Sequence, residues 1–205
     1  MTKLFLDVLD SPQQVLWQRL KALSVNSCVL AGGTAIAMQI GHRISEDFDL
    51  FIPGIISRTT RKKALELMEG IDRVPLDDTH QLTILSRTGL KLTVVSHPHI
   101  PIYKLVKTDS NKAFTIGQRG KWRDYVDLYF LLKEKIITLD QLLNESKKRF
   151  KVEFDPRRFL DQLTFTNDLG DFNIEFIRDG TTPANISQFM AKQVKEYLLT
   201  VGSTS

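Results

Sequence analysis

Cysteine is almost missing from this chain: among 205 residues there is only Cys28, so no internal disulfide framework is available and the fold must be held by its own core. The place of Cys28 in the apolar run Cys28-Val29-Leu30-Ala31 reads as a core position and not as a nucleophile. Histidine is scarce too, with four residues. The one close pair, His97 and His99 about Pro98, has no thiol near it, which argues against zinc and for loop or strand-end positions. No apolar stretch approaches the roughly 20 residues of a membrane span. The start, Met1-Thr2-Lys3-Leu4-Phe5-Leu6-Asp7, lacks the basic region, long apolar stretch and small-residue cleavage site of a secretory signal. These absences predict a cytoplasmic protein with no membrane partner.

What is present is an ordinary soluble composition, 42% hydrophobic with a net charge of +4. That suits one medium domain, or a core with a helical appendage. The positive charge is gathered in runs, Arg58-Thr59-Thr60-Arg61-Lys62-Lys63, Arg119-Gly120-Lys121-Trp122-Arg123 and Lys147-Lys148-Arg149-Phe150-Lys151. Such runs suit a polyanionic partner, or else solvated helix faces.

Periodicity predicts a helix from Ser11, with Ser11 as cap and Pro12 in the first turn, to about Ser24. Cys28 to Ala31 reads as a short buried strand, and Gly32-Gly33-Thr34 turns it into a helix from about Thr34 to Ile40. An acidic strand follows and is broken at Pro53-Gly54. Ser57 to Ile71 has helical spacing, and His80 to Ser86 with Leu90 to Ser96 reads as a hairpin about Arg87-Thr88-Gly89. From Asn111 the pattern is helical: Asn111 to Ile116, Trp122 to Lys133, Leu139 to Lys151, Pro156 to Thr164 and Pro183 to Leu199. Asn167 to Pro183 reads as a linker, and the end after Gly202 as a fraying terminus.

The chemistry is concentrated between residues 31 and 51. Alternation in Asp47-Phe48-Asp49-Leu50-Phe51 puts both carboxylates on one strand face and leaves Phe48, Leu50 and Phe51 to pack. Two like charges that close call for a cation between them, and oxygen ligands with room for phosphate oxygens suit Mg²⁺ or Mn²⁺. Just upstream, Gly32 and Gly33 let backbone approach a phosphate, and the start of the following helix favours an anion. The second informative segment is Lys112 to Tyr129. There Asp124 and Asp127 share a helix face, with Tyr125, Leu128, Leu131 and Leu132 on the buried side. Lys112 suits neutralisation of a transferring phosphate.

Three passages together resemble the AbiEii/AbiGii-type minimal nucleotidyltransferases, toxins of bacterial toxin-antitoxin and abortive-infection systems within the DNA polymerase β-like superfamily. They are Gly32 to Ala35 with Gly41 to Phe51; Gly89-Leu90-Lys91-Leu92-Thr93-Val94; and Lys112 to Leu132. The order and spacing fit over most of residues 15 to 165. The resemblance implies an α+β fold, with a nucleotidyltransferase-type mixed sheet and flanking helices over residues 1–105 and a helical region over 106–205 that completes the site. It implies Asp47 and Asp49 as metal ligands and, with Lys112 and Asp127, as catalytic residues. Gly32, Gly33, Thr34, Arg43, Ser45, Arg123 and Asp124 would bind nucleotide. The expected reaction is transfer of NMP from NTP to an acceptor, RNA and in some members tRNA, with Mg²⁺ or Mn²⁺ and a separately encoded antitoxin as partner.

The chain departs from the superfamily in two places. Gly33 stands where serine is frequent, and the third carboxylate of a later strand is missing from Leu90 to Val95, with Thr93 in its slot. Asp124 or Asp127 is then the alternative base. A module that binds nucleotide or RNA without turnover is the rival that this gap motivates, and a metal-dependent glycosyltransferase is the rival that Asp-x-Asp alone would allow.

Overall fold

In β2 (Asp47–Ile52) burial alternates residue by residue, with Phe48, Leu50 and Ile52 inside and Asp47, Asp49 and Phe51 half-buried on the other face. Burying each of the three inner side chains stabilises by about 1.5–3 kcal/mol. A slip of one residue would reverse the faces, lose that burial and drive two carboxylates into the core, so the register is strongly fixed. Phe51, expected inside, lies on the aspartate face and stacks on His97 at 5.0 Å.

This computed structural model describes residues 4–22, 28–97, 112–113, 115–117, 120–166, 169–170, 173–178 and 180–202. The chain divides into two compact units, Met1–Tyr103 and Lys104–Ser205.

The first unit is built on a five-stranded sheet in the order β1-β2-β5-β4-β3. Besides β2 its strands are β1 (Val29–Ala31), β3 (Ile71–Asp77), β4 (Gln81–Ser86) and β5 (Lys91–Ser96). Only the β2–β5 pairing is parallel, so the sheet is mixed. Three helices, α1 (Ser11–Ala22), α2 (Gly32–Ile40) and α3 (Arg58–Leu67), accompany it. Leu16, Ala37, Met38, Ala64 and Leu67 from these helices form one core with Phe48, Leu50, Ile52, Leu82, Ile84, Leu92 and Val94 of the sheet.

The predicted hairpin is present, and β3 beside it was not foreseen. The helix expected to reach Ile71 stops at Leu67, and Ile71 begins an edge strand. Pro75 and the charges at Asp72 and Arg73 hid that strand, yet an edge is where proline and exposed charge are tolerated. The cap of α1 is Asp10 and not Ser11: Gln13 N–H donates to Asp10 Oδ1 at 2.8 Å, and Asp10 N–H donates to Gln13 Oε1 at 2.8 Å. The predicted end of that helix, Ser24, lies outside the described residues. Cys28 is exposed just ahead of β1, not in the core.

The second unit is helical. Residues 112–113 and 115–117 are helical, followed by α4 (Trp122–Lys133), α5 (Leu139–Phe150), α6 (Pro156–Thr164) and α7 (Pro183–Gly202). Asp155 caps α6 by accepting from Arg157 and Arg158 N–H, with Pro156 at the first position, and Thr138 and Gln141 cap α5 reciprocally. Two boundaries shift: α5 ends at Phe150, with a 3-10 turn Lys151–Glu153 after it, and α7 runs on to Gly202.

The largest departure concerns α4. One buried side was expected, whereas Trp122 and every residue from Asp124 to Leu132 are buried, making it the central helix of its unit. The Tyr125 hydroxyl donates to Gln162 O at 2.7 Å. Gly120 packs close against the Tyr125 ring, where a Cβ would stand 2.6 Å from a ring carbon.

Candidate active site

The strand–turn–helix unit read from the sequence is closed by one backbone feature. Ala31 at the end of β1 is extended, Gly32 then takes φ +70°, and α2 begins there, two residues earlier than expected. This conformation brings the Gly32 backbone against Asp49, where a Cβ would stand 2.5 Å from Asp49 Oδ2 and 3.3 Å from its Cγ. β1 and β2 set up the approach, because Ala31 is the antiparallel partner of Asp49. Glycine is required twice, for the left-handed φ and for the space the carboxylate occupies. Gly32→Ala is therefore expected to destabilise the protein by roughly 1–2 kcal/mol from backbone handedness alone, and to lose activity by displacing Asp49. A melt with unchanged midpoint and full activity would refute this.

Thr34 in the first turn of α2 and Ser45 ahead of β2 are both buried, and their hydroxyls meet at 2.6 Å. Thr34 Oγ1 also donates to Asp47 O. Ser45 is held further by its N–H to Val8 O at 3.0 Å and by Gln13 Nε2 on its carbonyl at 2.5 Å. These bonds lock the entry of β2 onto α2, which sets where Asp47 emerges. Arg43, 3% exposed, donates to Ile44 O at 2.9 Å. Gly33 is half-buried, and Glu46 is exposed, off the Asp47 and Asp49 face as expected.

Across the parallel pairing Asp47 stands opposite Lys91, and Asp49 opposite Thr93. Thr93 therefore fills the position beside Asp49 where a third carboxylate was sought, and it is 5% exposed. Lys91 escaped the sequence reading. Its Nζ lies 3.1 Å from Asp47 Oδ2. The signal was its even spacing from Thr93 on a predicted strand; the register that sets it against Asp47 was not legible.

In the second unit Lys112 Nζ lies 2.5 Å from Asp124 Oδ1 and 2.8 Å from Asp127 Oδ2, with side chains 10%, 12% and 0% exposed. Asp124 also accepts from Lys121 N–H at 3.2 Å, tying the helix start into the cluster. Burial alone would push the Lys112 ammonium down. Asp127 first and Asp124 second outweigh it, and its pKa ends above the ordinary lysine value. Arg123, next to Asp124, is half-buried, and Arg119 lies outside the described residues.

Among the described residues no group of three or more His, Cys, Asp and Glu is arranged to hold a metal ion. Asp47 and Asp49 supply two carboxylates on one face, one of them cradled by Gly32. That set fits a hard cation whose other ligands are water and phosphate oxygens, as Mg²⁺ is commonly held, and not a cation enclosed by protein alone.

A mixed sheet that presents Asp-x-Asp beside a glycine turn and a helix start is the core of a nucleotidyltransferase. Residues 14–91 match the family described as "Nucleotidyl transferase AbiEii toxin, Type IV TA system", and over that segment the chain is similar to that family. The match includes Gly32, Asp47, Asp49 and Lys91 and ends before Lys112.

The uncharacterized protein aq_aa25 of Aquifex aeolicus (strain VF5) is 26% identical over 202 residues, 87% of this chain and 93% of that one. Among solved structures, MenT4, the nucleotidyltransferase toxin Rv2826c of Mycobacterium tuberculosis H37Rv, has the same fold at a TM-score of 0.61, with 16% identity over 88% of this chain and 80% of that chain. JHP933 of Helicobacter pylori covers 93% of this chain and 95% of its own at 16% identity, with a TM-score of 0.49.

Proposed function

We propose that this protein transfers NMP from an NTP to an RNA acceptor, tRNA being the class the resemblance favours, in a reaction dependent on Mg²⁺ or Mn²⁺. We further propose that it acts in the cytoplasm as the toxin of a pair with a separately encoded antitoxin. The observation that carries the reading is the Asp47 and Asp49 face, with Asp49 seated on the left-handed Gly32. Basic runs on α3 and α5 are compatible with a polyanionic acceptor. No helix among the described residues is long and apolar enough to cross a membrane.

In this reading Asp47 and Asp49 hold the cation, which when bound neutralises phosphate charge and polarises the phosphoryl group. Thr34 and Ser45 fix the strand that carries Asp47. Gly32 and Gly33 offer backbone close to phosphate at the helix start, where the N–H groups and helix dipole favour an anion. For Lys112 the proposal keeps the implied role of phosphate neutralisation. Asp127 is assigned proton acceptance, and Arg123, Asp124 and Arg43 nucleotide binding. Thr93, opposite Asp49, is the observation that favours the second reading, a module that binds nucleotide or RNA without turnover, since a threonine is no base.

The test is incubation of the purified protein with each α-³²P-labelled NTP, Mg²⁺ or Mn²⁺ and total RNA, beside Asp47→Ala. Label on RNA that the variant loses is the expected result. Nucleotide binding with no label on any acceptor would favour the second reading.

A further inference from the structure

Lys91 lies in direct register with Asp47, its Nζ 3.1 Å from Asp47 Oδ2, and the two side chains are 37% and 35% exposed. An ammonium therefore stands against Asp47, one of the two carboxylates on this face. A divalent ion approaching Asp47 meets a like charge already paired with one of its ligands. Lysine is a compact point charge on a flexible stem, and this side chain has solvent to move into.

We propose that Lys91 holds the cation position at Asp47 in the nucleotide-free protein and so makes divalent-metal binding depend on the triphosphate. The triphosphate brings the negative charge that displaces the ammonium, and the metal enters with its substrate. This inference rests on the reading of Asp47 and Asp49 as metal ligands. Lys91 acts through Asp47 and is a positioning residue.

The experiment is Mn²⁺ binding, followed by loss of the free-ion electron paramagnetic resonance signal, with and without a non-hydrolysable NTP analogue. Without nucleotide, Lys91→Met is expected to bind Mn²⁺ about tenfold more tightly than the unmodified protein, on the scale of one removed like charge. Lys91→Arg should behave as the unmodified protein, adding Asp47→Asn to Lys91→Met should abolish the gain, and the analogue should close the difference. Equal affinity of Lys91→Met and the unmodified protein without nucleotide, each weakened by Asp47→Asn, would overturn the role of Lys91 and leave the metal reading standing. So would a gain that survives Asp47→Asn. Mn²⁺ binding that never depends on Asp47, with or without the analogue, would overturn both.

Discussion

Asp47→Asn is expected to lower nucleotide transfer by about a hundred- to a thousandfold, the scale on which one charge-stabilising group at a reacting centre acts, while the protein keeps its fold. The two halves of this result have different causes. Asn keeps the size and the strand propensity of the position but removes the charge that pairs with a cation. What it gives up structurally is the contact with Lys91, a pair more than a third exposed, and such pairs contribute about 0–1 kcal/mol. Thr34 bonds to the backbone oxygen of residue 47, not to its side chain, so the helix-to-strand lock survives. Thermal denaturation beside the labelled-NTP assay checks both halves. A well-folded Asp47→Asn protein with substantial transfer would remove Asp47 from the chemistry.

Lys112→Met is expected to have the largest effect on stability, a loss of roughly 3–5 kcal/mol, the cost of removing one partner from a buried ion pair. Asp127 is fully buried and Asp124 nearly so. Without the ammonium, two carboxylates remain in the interior and lose the cation that Lys112 supplied to both. Adding Asp127→Asn should recover part of the loss by removing one of the two charges. Lost activity in Lys112→Met alone would therefore report folding before catalysis, and thermal denaturation run beside the transfer assay separates the two.

The pH dependence has a definite sign. The folded-state pKa of Lys112 is raised, so its contribution is fully present below the ordinary lysine value and disappears as pH rises through the folded one. Denaturant unfolding from pH 8 to 11 should show this decline only above the lysine range, and the Lys112→Met protein should lack that component. A decline centred near neutrality would contradict the assignment.

The sequence by itself determined the local elements and the candidate ligands. Alternation in Asp47 to Ile52 is a period-2 signal that any half-buried strand must carry. The hairpin about Gly89, the Pro156 helix start and the span of α4 are likewise signals contained within a few residues. The resemblance over the glycine turn and Asp-x-Asp is borne out by the family match over residues 14–91.

Only the tertiary structure decided what depends on residues distant in sequence. The strand pairing set Lys91 against Asp47 and Thr93 against Asp49 across a separation of 44 residues. It also made β3 an edge strand in spite of Pro75. Packing on every side turned α4 from an amphipathic helix into a central one, and in doing so buried Lys112 with Asp124 and Asp127. The physical reason is the same in each case: periodicity reports which face of an element is apolar, while partner, register and burial depth arise only when faces from separate elements compete for the same core.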